Sequence, residues 1–259
     1  MLLRIDSNPQ EIAVFLRPLL ASAALGAVAF AATPSRASVI DVQFSGTFSF
    51  VCGYPCPYYS PQQSGAAVVG AAGDLWNEFI ASSASSQVLT DVGGAATGVA
   101  LSFAADGAYT SAPGYDAFQG TPWANLMQGY LVNNISMTLT GLTPGQAYDM
   151  YIYTQGDNNS AGRAIGLSAT GGSSATTTQT NANTFILNDN YMLLTSVADG
   201  DGTIAIGQFF GAGETNVNGF QLVSSDVPEP GTASVLGMGL LALAGLTRRP
   251  MAGLMLRRN

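Results

Sequence analysis

Asn134 to Thr140 (NISMTLT) alternates apolar and polar positions with period two, as a strand with one face in a core does. Much of the middle of the chain follows that rule in short pieces. Val39 to Phe50 alternates in part and begins a sheet, and Gln87–Asp91 and Gly98–Ala104 form a pair joined through Gly93-Gly94. Further strands are expected at Ala147–Thr154, Arg163–Thr170, Thr184–Leu187, Met192–Val197 and Thr203–Gly207, and Phe220–Val223 closes the sheet. Thr170 to Thr180 reads as a long loop or a polar strand. Two pieces carry helical character. One is a single turn within Gly73–Phe79; the other is a short helix over Trp123–Gly129, started by Thr121-Pro122. Short strands punctuated by Gly, Asn and Asp turns predict an all-β antiparallel sandwich with one or two short helices.

Two apolar stretches fall outside this pattern. Leu19 to Ala32 is a run of small apolar residues preceded by Arg17, and Ser35-Arg36-Ala37 places small residues at the minus-three and minus-one positions of a cleavage site. Residues 1–37 therefore read as a secretory signal helix, cut after Ala37. At the other end, Gly231 to Thr247 carries no charge and spans about 26 Å as a helix, the short end of a membrane crossing. Arg248-Arg249 follow and stay cytoplasmic under the positive-inside bias, with 250–259 as a cytoplasmic tail. Pro228 and Pro230 keep the preceding segment extended.

Val227-Pro228-Glu229-Pro230, the apolar span and Arg248-Arg249, in that order, resemble the PEP-CTERM sorting signal of bacterial surface proteins. The resemblance covers 227–249 and implies handling by an exosortase in the inner membrane of a Gram-negative bacterium. It also implies display at the cell surface or in the extracellular matrix. The region between the two signals, 38–226, is the size of one domain.

Charge narrows the partners of that domain. It holds thirteen Asp and Glu residues against a single basic residue, Arg163, and the chain has no His or Lys. A net charge near −12 excludes nucleic acid, because nothing there neutralises phosphates. A neutral glycan or a cation suits such a surface better. Without His, Ser-His-Asp and Cys-His catalysis are excluded, and without Lys so are lysine nucleophiles and phosphate loops. Carboxylate chemistry survives: a glycosidase or lyase needs two positioned acids, and Glu78 and Glu214 are the domain's glutamates.

Cys52 and Cys56 are the only cysteines, and in an exported chain their spacing reads most simply as a local disulfide; a metal pair and a redox pair are the rivals. Trp76-Asn77 and Trp123-Ala124-Asn125 each set an indole beside an amide. Each indole either offers a face to a sugar or fills the core. Tyr58 and Tyr59 flank the cysteine loop as exposed rings. Arg163 either pairs with a nearby acid or contacts a ligand. Asp199-Gly200-Asp201-Gly202-Thr203 is either a tight hairpin turn or the start of a calcium loop that lacks its distal Glu.

Gly141-Leu142-Thr143-Pro144-Gly145-Gln146-Ala147-Tyr148 resembles the inter-strand corner of fibronectin-type sandwiches, in which the tyrosine hydroxyl ties back to nearby backbone. With Asn218-Gly219-Phe220-Gln221-Leu222 as a final strand, the region also resembles galactose-binding-like jelly rolls. That resemblance implies a binding module, with a structural calcium in some members, and points to a neutral extracellular polysaccharide as partner. The expectation is a surface or matrix protein that binds carbohydrate or plays a structural part, with a carboxylate-dependent glycosidase or lyase as the alternative.

The sorting signal yields the first prediction. In a host with an exosortase, the intact mass of the surface-released protein should lack residues beyond about Pro230; a mature form running to Asn259 refutes processing.

Overall fold

The computed structural model describes residues 39–46, 48–49, 56–57, 60–112, 114–158 and 162–225, all within one compact unit, Ala37–Val227. The signal over 1–37, Cys52, Tyr58, Tyr59, the sorting signal and the tail lie outside the described residues. The Cys52–Cys56 link therefore rests on sequence. Among the described residues no helix is long and apolar enough to cross a membrane.

The chain is built of strands in mostly antiparallel sheets. A five-stranded sheet has the order β13 (Tyr191–Val197), β10 (Ala147–Tyr153), β16 (Gly219–Ser224), β1 (Val39–Ser45), β4 (Trp76–Ile80). A six-stranded sheet runs β12 (Ser174–Thr177), β11 (Ala164–Ala169), β14 (Ile204–Ala212), β9 (Ser136–Thr140), β6 (Ala96–Ala104), β5 (Ser83–Thr90). A three-stranded sheet, β15 (Asn216–Val217), β8 (Gly129–Val132), β7 (Gly107–Thr110), and a small pair, β2 (Phe48–Ser49) with β3 (Cys56–Pro57), complete the set. Among the described residues the helix is α1 (Ala124–Gln128).

The two large sheets share one apolar core. From the five-stranded sheet come Ile40, Val42, Phe44, Met150, Ile152, Met192, Leu194, Phe220 and Leu222; from the other come Leu101, Phe103, Met137, Leu139, Leu167 and Ile206. Phe44 and Phe103 join the layers, with ring centroids 4.9 Å apart. Period-two alternation delivers these residues, as Met137 and Leu139 show within β9.

β1 breaks that alternation because its second face is buried too. Asp41, Gln43 and Ser45 point away from the core and are nonetheless fully covered. Above them lies a second apolar cluster of Trp76, Phe118, Leu126, Met127 and Tyr153. Residues 60–75 run across this outer face and return the chain so that β4 pairs parallel to β1, with Asp41 opposite Trp76. This is the one parallel pair among the named strands, and the long crossover makes it possible. Gly219 is required here: a Cβ on it would stand 2.2 Å from the Val42 carbonyl oxygen.

Several expectations are corrected. The helical turn within Gly73–Phe79 is strand β4, because backbone pairing with β1 sets its conformation. Thr184–Leu187 is not a strand. The Asn190 side chain takes the Ile186 N–H and the Thr184 carbonyl and holds an irregular turn. Strand β12 forms inside the stretch Thr170–Thr180, and β14 runs past Gly207 to Ala212. β7, β8 and β15 escaped the pattern; β8 is buried at every position and so shows no period.

The tyrosine corner forms as its resemblance implies. Gly145 takes a positive φ of 74°, and the Thr143 N–H donates to the Tyr148 hydroxyl at 3.1 Å. Tyr148→Phe should therefore cost about 1 kcal/mol in urea unfolding without changing the slope. A loss within error of zero would make the corner ornamental.

Candidate functional site

Both tryptophans spend their indole N–H groups on backbone carbonyls. Trp76 is 2% exposed, and its indole N–H donates to the Gly65 carbonyl at 2.9 Å. It has no face to offer a sugar, which corrects its assignment as a ligand residue. Asn77 is also spent: its amide donates to the carbonyls of Asp41 and Thr90 and accepts the Thr90 N–H. Trp123 is half-buried, packed at a tilt against Phe185 with ring centroids 5.0 Å apart, and its N–H donates to the Ala66 carbonyl. Asn125 is half-buried as well, and its side chain reaches the Gln62 carbonyl at 3.3 Å. These residues clamp the covering segment.

Glu78 and Glu214 lead in different directions. Glu78 sits on β4 with one carboxylate oxygen buried and unpartnered, and burial raises its pKa. Glu214 binds Arg163 at 2.8 Å and accepts from the Asn216 amide at 3.1 Å. Arg163 thus pairs with an acid.

Asp199 accepts the N–H groups of Asp201 and Thr203 with one oxygen, and the Asp199 N–H donates to the Thr203 carbonyl. This is the hairpin-turn alternative, and the carboxylate serves the turn. Among the described residues no group of three or more His, Cys, Asp or Glu is placed to hold a metal.

The Arg163–Glu214 pair belongs to a larger polar cluster at one end of the unit. The chain leaves β10 at Tyr153 and runs through Thr154, Gln155, Gly156 and Asp157 past the turn before β15. Gln155 N–H donates to Asn218 Oδ1 at 2.6 Å, and Gly156 N–H reaches Gln179 Oε1 at 3.4 Å. A Cβ at Gly156 would lie 2.6 Å from Arg163 Nη1 and 2.7 Å from Asn216 Oδ1, so any larger residue would have to displace these two side chains. Asp157 Oδ1 accepts from the Ser111 hydroxyl and, at 3.2 Å, from Tyr130 Oη.

Three amide atoms of this cluster have no partner: Gln155 Oε1, Gln179 Nε2 and Asn216 Oδ1. All three residues are fully buried. Buried amide groups are nearly always paired, since each orphan forfeits its hydration. Gln179 is held besides at a φ of +48°, in the left-handed region. The neighbouring Asp189 fixes it there by accepting from Thr180 N–H and Oγ1. Strain and unmet hydrogen bonding gather in one place, as they do at binding sites.

Asp116 adds a second carboxyl. Burial pushes its pKa up to about 6, with the Phe118 N–H pulling down and the charge of Asp157 pushing up. Burial likewise raises Tyr130, with help from Asp157 and Glu214. The Asp116 loop touches the Asp157 loop through Asn158, whose amide donates to the Gly114 carbonyl at 3.0 Å. Sequence reading missed Asp116, Asp157, Gln155, Gln179 and Asn216. They come from separate loops, and the only local signal was the sole cation, Arg163.

No protein-family model matches the chain, and no curated protein matches it. Among solved structures it is similar to Arthrobacter globiformis T6 isomalto-dextranase complexed with panose, at 12% identity and a TM-score of 0.26. The match covers 74% of this chain and 30% of that one, so the chain spans less than a third of that protein's length. A likeness of that strength says nothing about this chain's fold or chemistry.

Trp76→Ala should cost about 3–5 kcal/mol of stability, the toll of emptying a packed aromatic site. A melting midpoint within error of wild type would return the indole to the surface.

Proposed function

We propose that the chain is an exported bacterial surface or matrix protein, sorted through Val227–Pro230 and Arg248-Arg249, whose jelly-roll-like sandwich binds a neutral polysaccharide. The sorting resemblance supports the first half. The single observation behind the second is the set of three unpartnered buried amide atoms beside Arg163–Glu214 and Asp157. Sugar hydroxyls both donate and accept, the chemistry that the orphan acceptors on Gln155 and Asn216 and the orphan donor on Gln179 lack; all three are covered, so hydroxyls reach them only when the loop over 154–158 lifts. Tyr115, 57% exposed beside Asp116, supplies a ring for stacking at the rim. An anionic ligand is disfavoured because the one guanidinium is already neutralised by Glu214.

Carboxylate-dependent glycoside cleavage is the second reading, favoured by Asp116. A carboxyl with its pKa near 6 keeps a proton further towards neutrality than an ordinary aspartic acid. It faces the charge of Asp157, and cleavage of this kind needs two acids.

Calorimetric titration of the full chain with neutral oligosaccharides, with and without calcium, tests the binding reading. Wild type should bind, and Asp157→Asn and Tyr115→Ala should each weaken binding at least ~10-fold, a loss of about 1.4 kcal/mol, with little change in melting midpoint. No bound glycan, or unaltered affinity in both variants, refutes it. Reducing ends released by wild type but not by Asp116→Asn would select the hydrolytic reading.

A further inference from the structure

The segment over 60–75 is held to the five-stranded sheet through polar side chains on the sheet's outer face. Gln43 donates to the Pro61 carbonyl and accepts the Gln63 N–H at 2.6 Å. Ser45 Oγ accepts the Ser60 N–H at 3.0 Å. Gln221 accepts the Val69 N–H at 3.1 Å and donates to the Val69 carbonyl at 3.0 Å. Tyr153 Oη accepts the Val68 N–H at 3.0 Å and donates to Gln221 Oε1. Beneath this knot lies Asp41, fully buried. One of its oxygens accepts from Gln221 Nε2 at 3.0 Å; the other has no partner.

We infer that residues 60–75 form a strap seated under acidic conditions and loosened near neutrality, with Asp41 as the latch. An unpartnered, fully buried carboxylate oxygen is tolerable while it carries a proton and costly once it is charged. The groups around Asp41 do not offset that charge. The strap contributes Asp74, β16 contributes neutral Gln221 and β10 contributes Tyr153, whose own neighbours are Tyr151 and Tyr191; Glu78 of β4 lies two residues on from Trp76, the residue opposite Asp41. The one basic side chain among the described residues, Arg163, is bound to Glu214.

Burial pushes the Asp41 carboxyl from 3.8 up to about 7, with Gln221 pulling down and the charge of Asp74 pushing up. The seated state therefore holds a proton that the open state gives up between those values. Seating weakens as pH rises through that window and levels off above about 7. Opening uncovers Trp76 and Tyr153, which are 2% and 0% exposed when the strap is down.

Hydrogen exchange of the full chain, followed by mass spectrometry and corrected for intrinsic rates, tests the latch. Protection of the Val68, Val69 and Leu75 amides should fall at least ~10-fold between about pH 5 and pH 8, while β9 and β10 keep theirs. Asp41→Asn should flatten that profile. Should that variant not fold, Asp74→Asn supplies the second test: without that negative charge Asp41 holds its proton less tightly, so the midpoint of the strap's transition should move to lower pH. A pH-independent strap, loss of protection in all strands together, the wild-type slope in Asp41→Asn, or an unmoved or raised midpoint in Asp74→Asn overturns the proposal.

Discussion

Everything on the outer side of the five-stranded sheet follows from one constraint: polar side chains that a strand must carry cannot be buried without partners. β1 places Ile40, Val42 and Phe44 in the shared core, so Asp41, Gln43 and Ser45 necessarily face the other way. In an open sheet that face meets water. Here the chain covers it, and the covering backbone supplies the missing hydrogen bonds through Ser60, Pro61, Gln63 and Val69. Trp76, Trp123 and Tyr153 fill the space between and spend their own polar atoms on the same segment. The aromatic residues that look most like sugar platforms are thereby consumed by architecture.

The far end of the unit solves its polar accounting less completely. Gln155, Gln179 and Asn216 are as deeply buried as Gln43, yet each leaves an amide atom unmet. With one guanidinium against many carboxylates, the unit has little means of neutralising its acids internally. Burial makes Asp116 and Asp41 retain protons further up the pH scale than aspartic acids in water, and the nearby carboxylates Asp157 and Asp74 add to it.

How much of this was legible depended on whether the information was local. Half-buried strands such as β9 and β13 announce themselves by alternation, and the corner at Tyr148 by a short motif with a hydrogen bond to match. β8, covered on both faces, has no period to read, and the stretch Gly73–Phe79 looked helical because β1, the partner of β4, lies far back in the chain. The site was less legible still. Arg163 stood out as the only cation between Ser38 and Asp226, but the amides around it are ordinary loop residues until folding assembles them. Trp76 looked like a possible sugar platform and is buried, since burial is a property of neighbours that spacing does not reveal.

The order of strands in the five-stranded sheet has a consequence for how such a chain acquires its shape. β16 lies between β10 and β1, with Val39 opposite Val223 and Tyr148 opposite Ser224. The strand nearest the middle of the sheet is the last of the sheet's strands to leave the ribosome. Until it arrives, β1 with β4 and β10 with β13 are two separate ribbons, each with a bare edge. Closure joins residues from opposite ends of the domain, the slowest kind of contact to find. The finished sheet is locked by its final stroke, so a chain emerging N-terminus first stays open until almost all of the domain is out.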